Sequence, residues 1–428
     1  MGLFIETMAA IVVLMLAGVP IAFSLLIVSV AILILKGYPL GLIPHMIITG
    51  VESWVLLAVP LFILTGHLMN ATKLTDKIFD FANACLGHIR GGMGHVTILA
   101  NMIFAGISGA ALADVQGLGV VTIKAMTDKG YDKEFAAAVT VSASTIGPII
   151  PPSIPMVIYA AIAEVSVAKM FLAGFLPGIV MGLAMMILVY LMARSASFSV
   201  RPEPRPTLRQ IGAAFVSSIP SLVIPGILLL AILLGIATPT EIGVISILYI
   251  VVVVWFGYKA LDWAKVWSSI RATAEATAAI LIILGTASLY AKMLAMEQVP
   301  QTIAAYVLAV TQNNPIIFLL AVNILLLILG CFLDTTAIMV ITLPILLPIA
   351  KQLHIDLIHF GITVVFNLMI GLLTPPFGLC LYAVMNMTKI PMDRMVRAIL
   401  PFFVPLLVTL VFITFAPKPI MFLPNLSK

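Results

Sequence analysis

The chain has 428 residues, 62% of them hydrophobic and only 9% charged, with a net charge of +5 and a mean hydropathy of +1.23. A water-soluble domain carries roughly 25% charged residues, so this composition excludes a soluble globular protein. The small positive excess belongs to loops, where it reports membrane topology rather than nucleic-acid binding. Apolar runs of about 20 residues recur without an alternating pattern, which predicts a polytopic all-α membrane protein and not a β-barrel.

In chain order, the opening stretch "MGLFIETMAAIVVLML" lacks a basic region and a small-residue cleavage site. It reads as a retained membrane segment running to about Leu35, crossing twice or strongly bent. Scaffold helices are predicted over 4–70. Residues 72–89 and 261–275 are amphipathic, and Trp263, Trp267, Lys265 and Arg271 suit an anchoring element at the membrane interface. A helical hairpin follows over 92–124, then a broken helix over 134–160 and a helix over 168–193. The polar, Arg- and Pro-rich stretch 194–210 reads as a cytoplasmic linker between a first repeat (1–193) and a second (211–428). The second repeat is predicted as scaffold over 211–297, a hairpin over 316–350, a broken helix over 358–388 and a helix over 395–417. Cys85, Cys331 and Cys380 have no metal or redox spacing and read as packing residues.

The halves match each other. "IGPIIPP" (146–152) corresponds to "IGLLTPP" (370–376), and Gly147 and Gly371, like Pro177 and Pro401, lie 224 positions apart. Asp132 and Asp356 fall in the same register. Basic residues place 73–90, 124–133, 259–271 and 389–397 inside, so the first hairpin opens to the cytoplasm. Residues 298–350 hold no Lys or Arg, so the second hairpin opens outside. One hairpin to each side means inverted repeats, the architecture of secondary transporters.

The proline breaks carry the chemistry. Proline inside a helix costs about 3 kcal/mol, and broken backbone in a bilayer survives only in protein or at a cavity. Each break ends one half-helix near Ser144–Gly147 or Thr374, leaving carbonyls for a cation. Each then starts another at Pro151, Pro152 and Ser153 or at Pro375 and Pro376, with N–H groups for an anion. Each hairpin also holds one acid: Asp114 is the only charge between Arg90 and Lys124, and Asp334 the only one between Glu297 and Lys351. A carboxylate among hydroxyls and carbonyls makes a hard-oxygen site suited to Na⁺ and poor for transition metals, although the same acids could relay protons. Ser142, Ser144 and Asn367 could add oxygens. Glu241 in "ATPTEIG" reads as a helix cap, and Glu52 is similar. No buried Lys or Arg is available for a substrate carboxylate, which would dock on the half-helix starts beside Ser108 and Asp334. "GISG" (106–109) matches a protease signature, but no histidine sits in a matching motif, so an enzyme is not expected.

The motifs "FAGISGAALAD" (104–114), "TIGPIIPPS" (145–153), "GCFLDTTAIMVITLPILLPIA" (330–350) and "IGLLTPPFG" (370–378) together resemble the large membrane subunit of a tripartite ATP-independent periplasmic (TRAP) transporter. The likeness spans essentially the whole chain. It implies an elevator-type, Na⁺-coupled importer of small organic anions such as C4-dicarboxylates or sugar acids, multi-pass in the bacterial inner membrane and without a cofactor. It further implies a small four-helix membrane subunit and a periplasmic substrate-binding protein as partners. Carried over by motif, one sodium set is Ser108, Gly109, Asp114, Ser144, Thr145 and Gly147. The other is Asp334, Thr335, Thr336, Asn367, Gly371 and Thr374. Family members often have Ser-Gly-Ser where this chain has Ser108–Gly109–Ala110, so one substrate hydroxyl is missing here. The alternative left open is a stand-alone Na⁺- or H⁺-coupled anion transporter.

Overall fold

A computed structural model describes residues 2–72, 74–194, 203–258 and 262–426, and every regular element among them is helical. The N-terminal segment forms two helices, α1 (Gly2–Leu16) and α2 (Ile21–Leu35), turned at Gly18, whose φ of +88° glycine adopts without strain. Then come α3 (Leu42–Val51), a short 3₁₀ turn at Trp54–Leu57, α4 (Ala58–Ala71) and the arm α5 (Leu74–Leu86). The first hairpin is α6 (Gly92–Ser108) returning through α7 (Ala111–Gln116) and α8 (Leu118–Asp128). The first broken helix is α9 (Lys133–Ser144) with α10 (Ile154–Ala163), followed by α11 (Val167–Met192).

The second repeat runs through α12 (Leu208–Leu233), α13 (Pro239–Val252), a π-helical turn at Val253–Tyr258, and α14 (Trp263–Met296). Its arm is α15 (Val299–Val310), its hairpin α16 (Pro315–Gly330) and α17 (Thr335–Gln352). Its broken helix is α18 (Leu357–Gly371) with α19 (Leu379–Thr388), and α20 (Met392–Phe415) leads to two short turns, α21 (Pro417–Ile420) and α22 (Phe422–Leu426). Among the described residues, seven helices are long and apolar enough to cross a membrane, or eight if the bent pair α15–α16 counts as one span.

Sequence explains the boundaries. Asp132 accepts from Glu134 N and Phe135 N, and Asp356 accepts from Ile358 N and His359 N, so the in-register acids are matching N-caps of α9 and α18. Glu241 closes a capping box with Thr238, the structural role read from its motif. Two readings change. Residues 263–275 are not a separate amphipathic arm but the start of the continuous α14, because nothing from Trp263 to Ile283 breaks a helix. α15, the counterpart of α5 by the 224-residue offset, was not separated from its surroundings because the stretch after Glu297 carries no charge. Linker residues 195–202 lie outside the described residues; Glu203 beyond them pairs with Lys129.

Packing follows a pseudo-twofold. The first hairpin helix of each repeat lies on its own broken helix, α6 on α9 and α16 on α18. The repeats then exchange contacts: α10 packs on α17, α19 on α7, α11 on α18 and α20 on α9. The core therefore sits where hairpins and breaks interlock. Around it, α14 packs against α2, α3 and α4, while α13 packs on α4 and α12 on α5. The outer faces of α12 and α13 keep large apolar side chains such as Phe215, Leu230 and Leu248 exposed, as does Trp255 in the π-helical turn after α13.

Candidate functional site

Each hairpin tip rests on its own break through a backbone hydrogen bond. Ile154 N–H donates to Gly109 O at 3.2 Å, and Phe377 N–H donates to Cys331 O at 3.2 Å. Gly109 has a left-handed φ of +62°, and a Cβ there would come within 2.8 Å of the Pro152 carbonyl oxygen. Only glycine allows that approach. Both Pro-Pro peptide bonds, Pro151–Pro152 and Pro375–Pro376, are cis.

In the first repeat, Asp114 is completely buried, and neither carboxylate oxygen has a hydrogen-bond partner. Its polar neighbour is Ser108, whose hydroxyl is also buried and unpartnered. The carboxylate lies against the break: a Cβ on Gly147 would collide with Asp114 Oδ2. Ser142 Oγ is a further buried oxygen without a partner. Ser144 and Thr145 donate to the carbonyls of Val141 (2.8 Å) and Ser142 (2.7 Å), which leaves their oxygen lone pairs free. Among the described residues no N–H reaches the carbonyls of Thr145 or Gly147. A buried carboxylate without a counter-charge costs several kcal/mol, so this pocket of oxygens calls for a cation or a proton.

In the second repeat, Asp334 is half-buried and caps α17, its Oδ2 accepting from Thr336 N at 2.9 Å. Thr335 Oγ1 is buried and unpartnered. Asn367 donates through Nδ2 to the backbone and side-chain oxygens of Asn323 at 3.0 and 2.9 Å, while its own Oδ1 is buried with no partner. Asn323 donates in turn to Thr414 Oγ1 at 2.9 Å. Thr374 Oγ1 donates to Ile370 O at 2.8 Å. Gly371 meets Gly330 backbone to backbone: a Cβ on Gly371 would come within 2.8 Å of Gly330 Cα.

A cavity of about 670 Å³ lies between the two tips. Ala110–Ala113 and Asp334–Thr336 form its hairpin walls, and Pro148, Ile154, Pro155, Leu372 and Leu379 its walls at the breaks. Opposite stand His67 and Asn70 of α4 and Ala276, Ile280 and Ile283 of α14. No Lys or Arg appears on this wall among the described residues.

Of the residues expected to touch substrate, Asp334 faces this cavity. Ser108 instead lies buried with Asp114. Pro151, Pro152, Ser153, Pro375 and Pro376 are not on the cavity wall either. Ser153 is occupied as a cap, accepting from Met156 N at 3.2 Å and donating to Pro148 O at 2.5 Å. The half-helix starts therefore meet the cavity through Ile154 and Pro155. Sequence reasoning missed Gly330 and Asn323, while Cys380 is buried as a packing residue. The lone amide in "LLAVNILLLILG" was a usable signal for Asn323.

Interlocked inverted repeats with two hairpins, two broken helices and a central cavity define a secondary transporter. Residues 8–419 match the family described as "Tripartite ATP-independent periplasmic transporter, DctM component". The chain is 38% identical over 416 residues to the large permease protein SiaM of the sialic acid TRAP transporter of Vibrio cholerae, covering 96% of each. It is 40% identical over 374 residues to the large permease protein DctM of the C4-dicarboxylate TRAP transporter of Pseudomonas aeruginosa, covering 87% of each. It is 31% identical over 405 residues to the large permease protein YiaN of the 2,3-diketo-L-gulonate TRAP transporter of Escherichia coli, covering 94% of this chain and 95% of that one. The solved YdaH transporter of Alcanivorax borkumensis shares the fold, with a TM-score of 0.60 at 13% identity over 87% of this chain and 86% of that one. The chain belongs to the TRAP transporter family as a large permease subunit, a multi-pass protein of the inner membrane. It is a permease, not an enzyme.

Proposed function

We propose that this subunit imports a small organic carboxylate by sodium-coupled, elevator-type movement. The substrate arrives on a periplasmic binding protein, and the subunit works with a small membrane subunit. The observation that carries the reading is Asp114: a fully buried carboxylate with both oxygens unpartnered, beside the unpartnered hydroxyl of Ser108 and against Gly147. Hard oxygens in that number suit Na⁺. Thr335 and Asn367, with Asp334, Thr336, Gly371 and Thr374 around them, supply a second set on the other repeat.

The three relatives carry different cargo, yet sialic acid, C4-dicarboxylates and 2,3-diketo-L-gulonate all bear a carboxylate. A cavity without Lys or Arg holds such a group through bound Na⁺, helix starts and the hydroxyls of Thr335 and Thr336. The interlocked hairpins and broken helices form the mobile body; α1–α4, α12–α14 and the arms form the frame that meets the small subunit.

The test is uptake of labelled organic acids into proteoliposomes containing the full assembly, with and without an inward Na⁺ gradient. Uptake that needs both Na⁺ and the binding protein is expected. Uptake driven by a pH gradient without Na⁺ would assign Asp114 to proton transfer, and uptake by this chain alone would overturn the tripartite reading.

A further inference from the structure

A second cavity, of about 370 Å³, lies further along α10, α14 and α17. Its frame side is Thr49, Gly50 and Ser53 from the α3–α4 segment, with Ser288, Ala291 and Lys292 of α14. Facing these are Ala161, Ile162 and Glu164 at the end of α10, and Val340, Pro344 and Leu347 of α17. The central cavity meets the first turns of α10 and α17, an earlier stretch of α14, and α4 in place of the α3–α4 segment. The two cavities are stacked along one track.

On α14 the residues facing the central cavity, Ala276, Ile280 and Ile283, continue at helical spacing into Ala287, Ala291 and Ala295 at the second. α14 begins with Lys265 and Arg271 and α4 ends just before Lys77, so these ends are cytoplasmic. α14 thus presents its inner half to the central cavity and its outer half to the second, while α4 lines the central cavity and the preceding α3–α4 segment lines the second. This is the arrangement of a carrier whose central cavity has moved to the inner side.

Lys292 is the only Lys or Arg on the wall of either cavity among the described residues. A lysine this close to the end of a spanning helix ordinarily stretches toward the headgroups. Here its ammonium instead donates to the Thr49 hydroxyl on the neighbouring frame helix. It makes no ion pair among the described residues, Glu164 in the same cleft included.

We propose that Lys292 is the frame-side anchor for the substrate carboxylate in the outward-facing state, a role that rests on the elevator reading above. The two stretches of α14 are about ten residues apart, so a rise of roughly 15 Å brings Asp334–Thr336 opposite Ser288 and Lys292. On α14 the cargo then sees a cation on the outer side and only alanine and isoleucine on the inner. Capture is favoured outside and release inside, without any change within the mobile body.

The experiment compares Lys292→Gln and Lys292→Arg in proteoliposomes with the complete assembly, using labelled N-acetylneuraminate, succinate and 2,3-diketogulonate as probes. Binding to the purified permease in nanodiscs and the Tm are measured alongside. The glutamine variant is expected to lose about tenfold in uptake rate, the scale of one charge-assisted hydrogen bond. The arginine variant should retain most uptake, and the Tm and half-saturating Na⁺ concentration of both should match the wild type. Wild-type uptake by the glutamine variant would overturn the proposal, as would equal losses in both variants with a lowered Tm. A wild-type assembly whose uptake ignores Na⁺ breaks the sodium reading and leaves the Lys292 comparison standing. If none of the probes is carried, loss of nanodisc binding in the glutamine variant alone supports the anchor, and unchanged or absent binding in all forms counts against it.

Discussion

Counted by the offset between the repeats, Asp334 stands where the first repeat has Ala110, and Asp114 stands where the second has Ile338. The two hairpin acids are therefore not copies of one another. Asp334 is the N-cap of α17, half-buried and facing the cavity, with one oxygen committed to Thr336 N. The equivalent Ala110 leaves α7 without a side-chain cap. Asp114 sits one turn deeper, sealed from solvent with only the Ser108 hydroxyl beside it, while Ile338 is ordinary buried packing. One backbone device, used twice, holds a solvated charge fixed by a helix start in one repeat and a bare charge in the other. The bare one is the stronger candidate for an ion that must bind before the carrier moves, because among the described residues no cationic group pairs with it.

The comparison breaks most visibly at Asp114. Asp114→Asn should reduce uptake by about 100-fold or more, the scale of removing one partner from a buried charge pair. The Tm of the purified protein in sodium-free buffer should not fall, since the variant removes an unpaired buried charge. A lowered Tm would make Asp114 a structural residue. Next in size is Gly147→Ala, whose methyl group would strike Asp114 Oδ2. Overpacking of this kind costs about 1–3 kcal/mol, and here it should appear as a raised half-saturating Na⁺ concentration; an unchanged sodium curve would separate the break from the acid.

Asp334 sharpens the contrast through two variants. Asp334→Asn keeps a good N-cap and removes the charge, whereas Asp334→Ala also loses the cap, worth about 1 kcal/mol. Both should lower uptake, but only the alanine variant should lower the Tm, and equal melting would mean the cap contributes nothing. The smallest effect belongs to a clamp outside both sites. Glu297 pairs with Lys36 at 2.9 Å and accepts from Tyr38 at 3.2 Å, tying α2 to the end of α14. The hydrogen-bonded Lys36 ammonium holds the Glu297 carboxyl below its ordinary value of 4.5. Its contribution is therefore full at neutral pH and disappears as pH falls through that lowered value. Glu297→Gln should slightly lower the Tm at pH 7, less so in acid, and leave the sodium dependence alone.

Much of this arrangement was legible in the sequence because prolines, glycines and lone acids are conspicuous in an apolar chain. The paired breaks, both hairpins and the isolation of Asp114 follow from local signals. The depth of each acid does not: it depends on where the tip turns, and Gly109 and Cys331 are fixed by contact with breaks far along the chain. Gly330 against Gly371 and Asn323 beside Asn367 are likewise long-range pairings that no window of sequence displays. The arm α15 escaped notice because Val299–Val310 has no charge to mark it off from α16. The expectation that Pro151–Ser153 would face the substrate treated a helix start as open, whereas the Ser153 hydroxyl closes it onto Pro148.

That no described Lys or Arg lines the central cavity has a consequence for the electrical behaviour of the cycle. On the sodium-coupled reading, the mobile body carries the charge of Asp114 uncompensated once ion and cargo have left. An elementary charge crossing a membrane gains about 2.3 kcal/mol for each 100 mV. With the cell interior negative, that field drives an empty, anionic carrier outward. Voltage would then power the return stroke, and uptake measured against a potassium diffusion potential should accelerate as the interior is made more negative. A rate indifferent to voltage would mean the empty carrier returns with Asp114 neutralised.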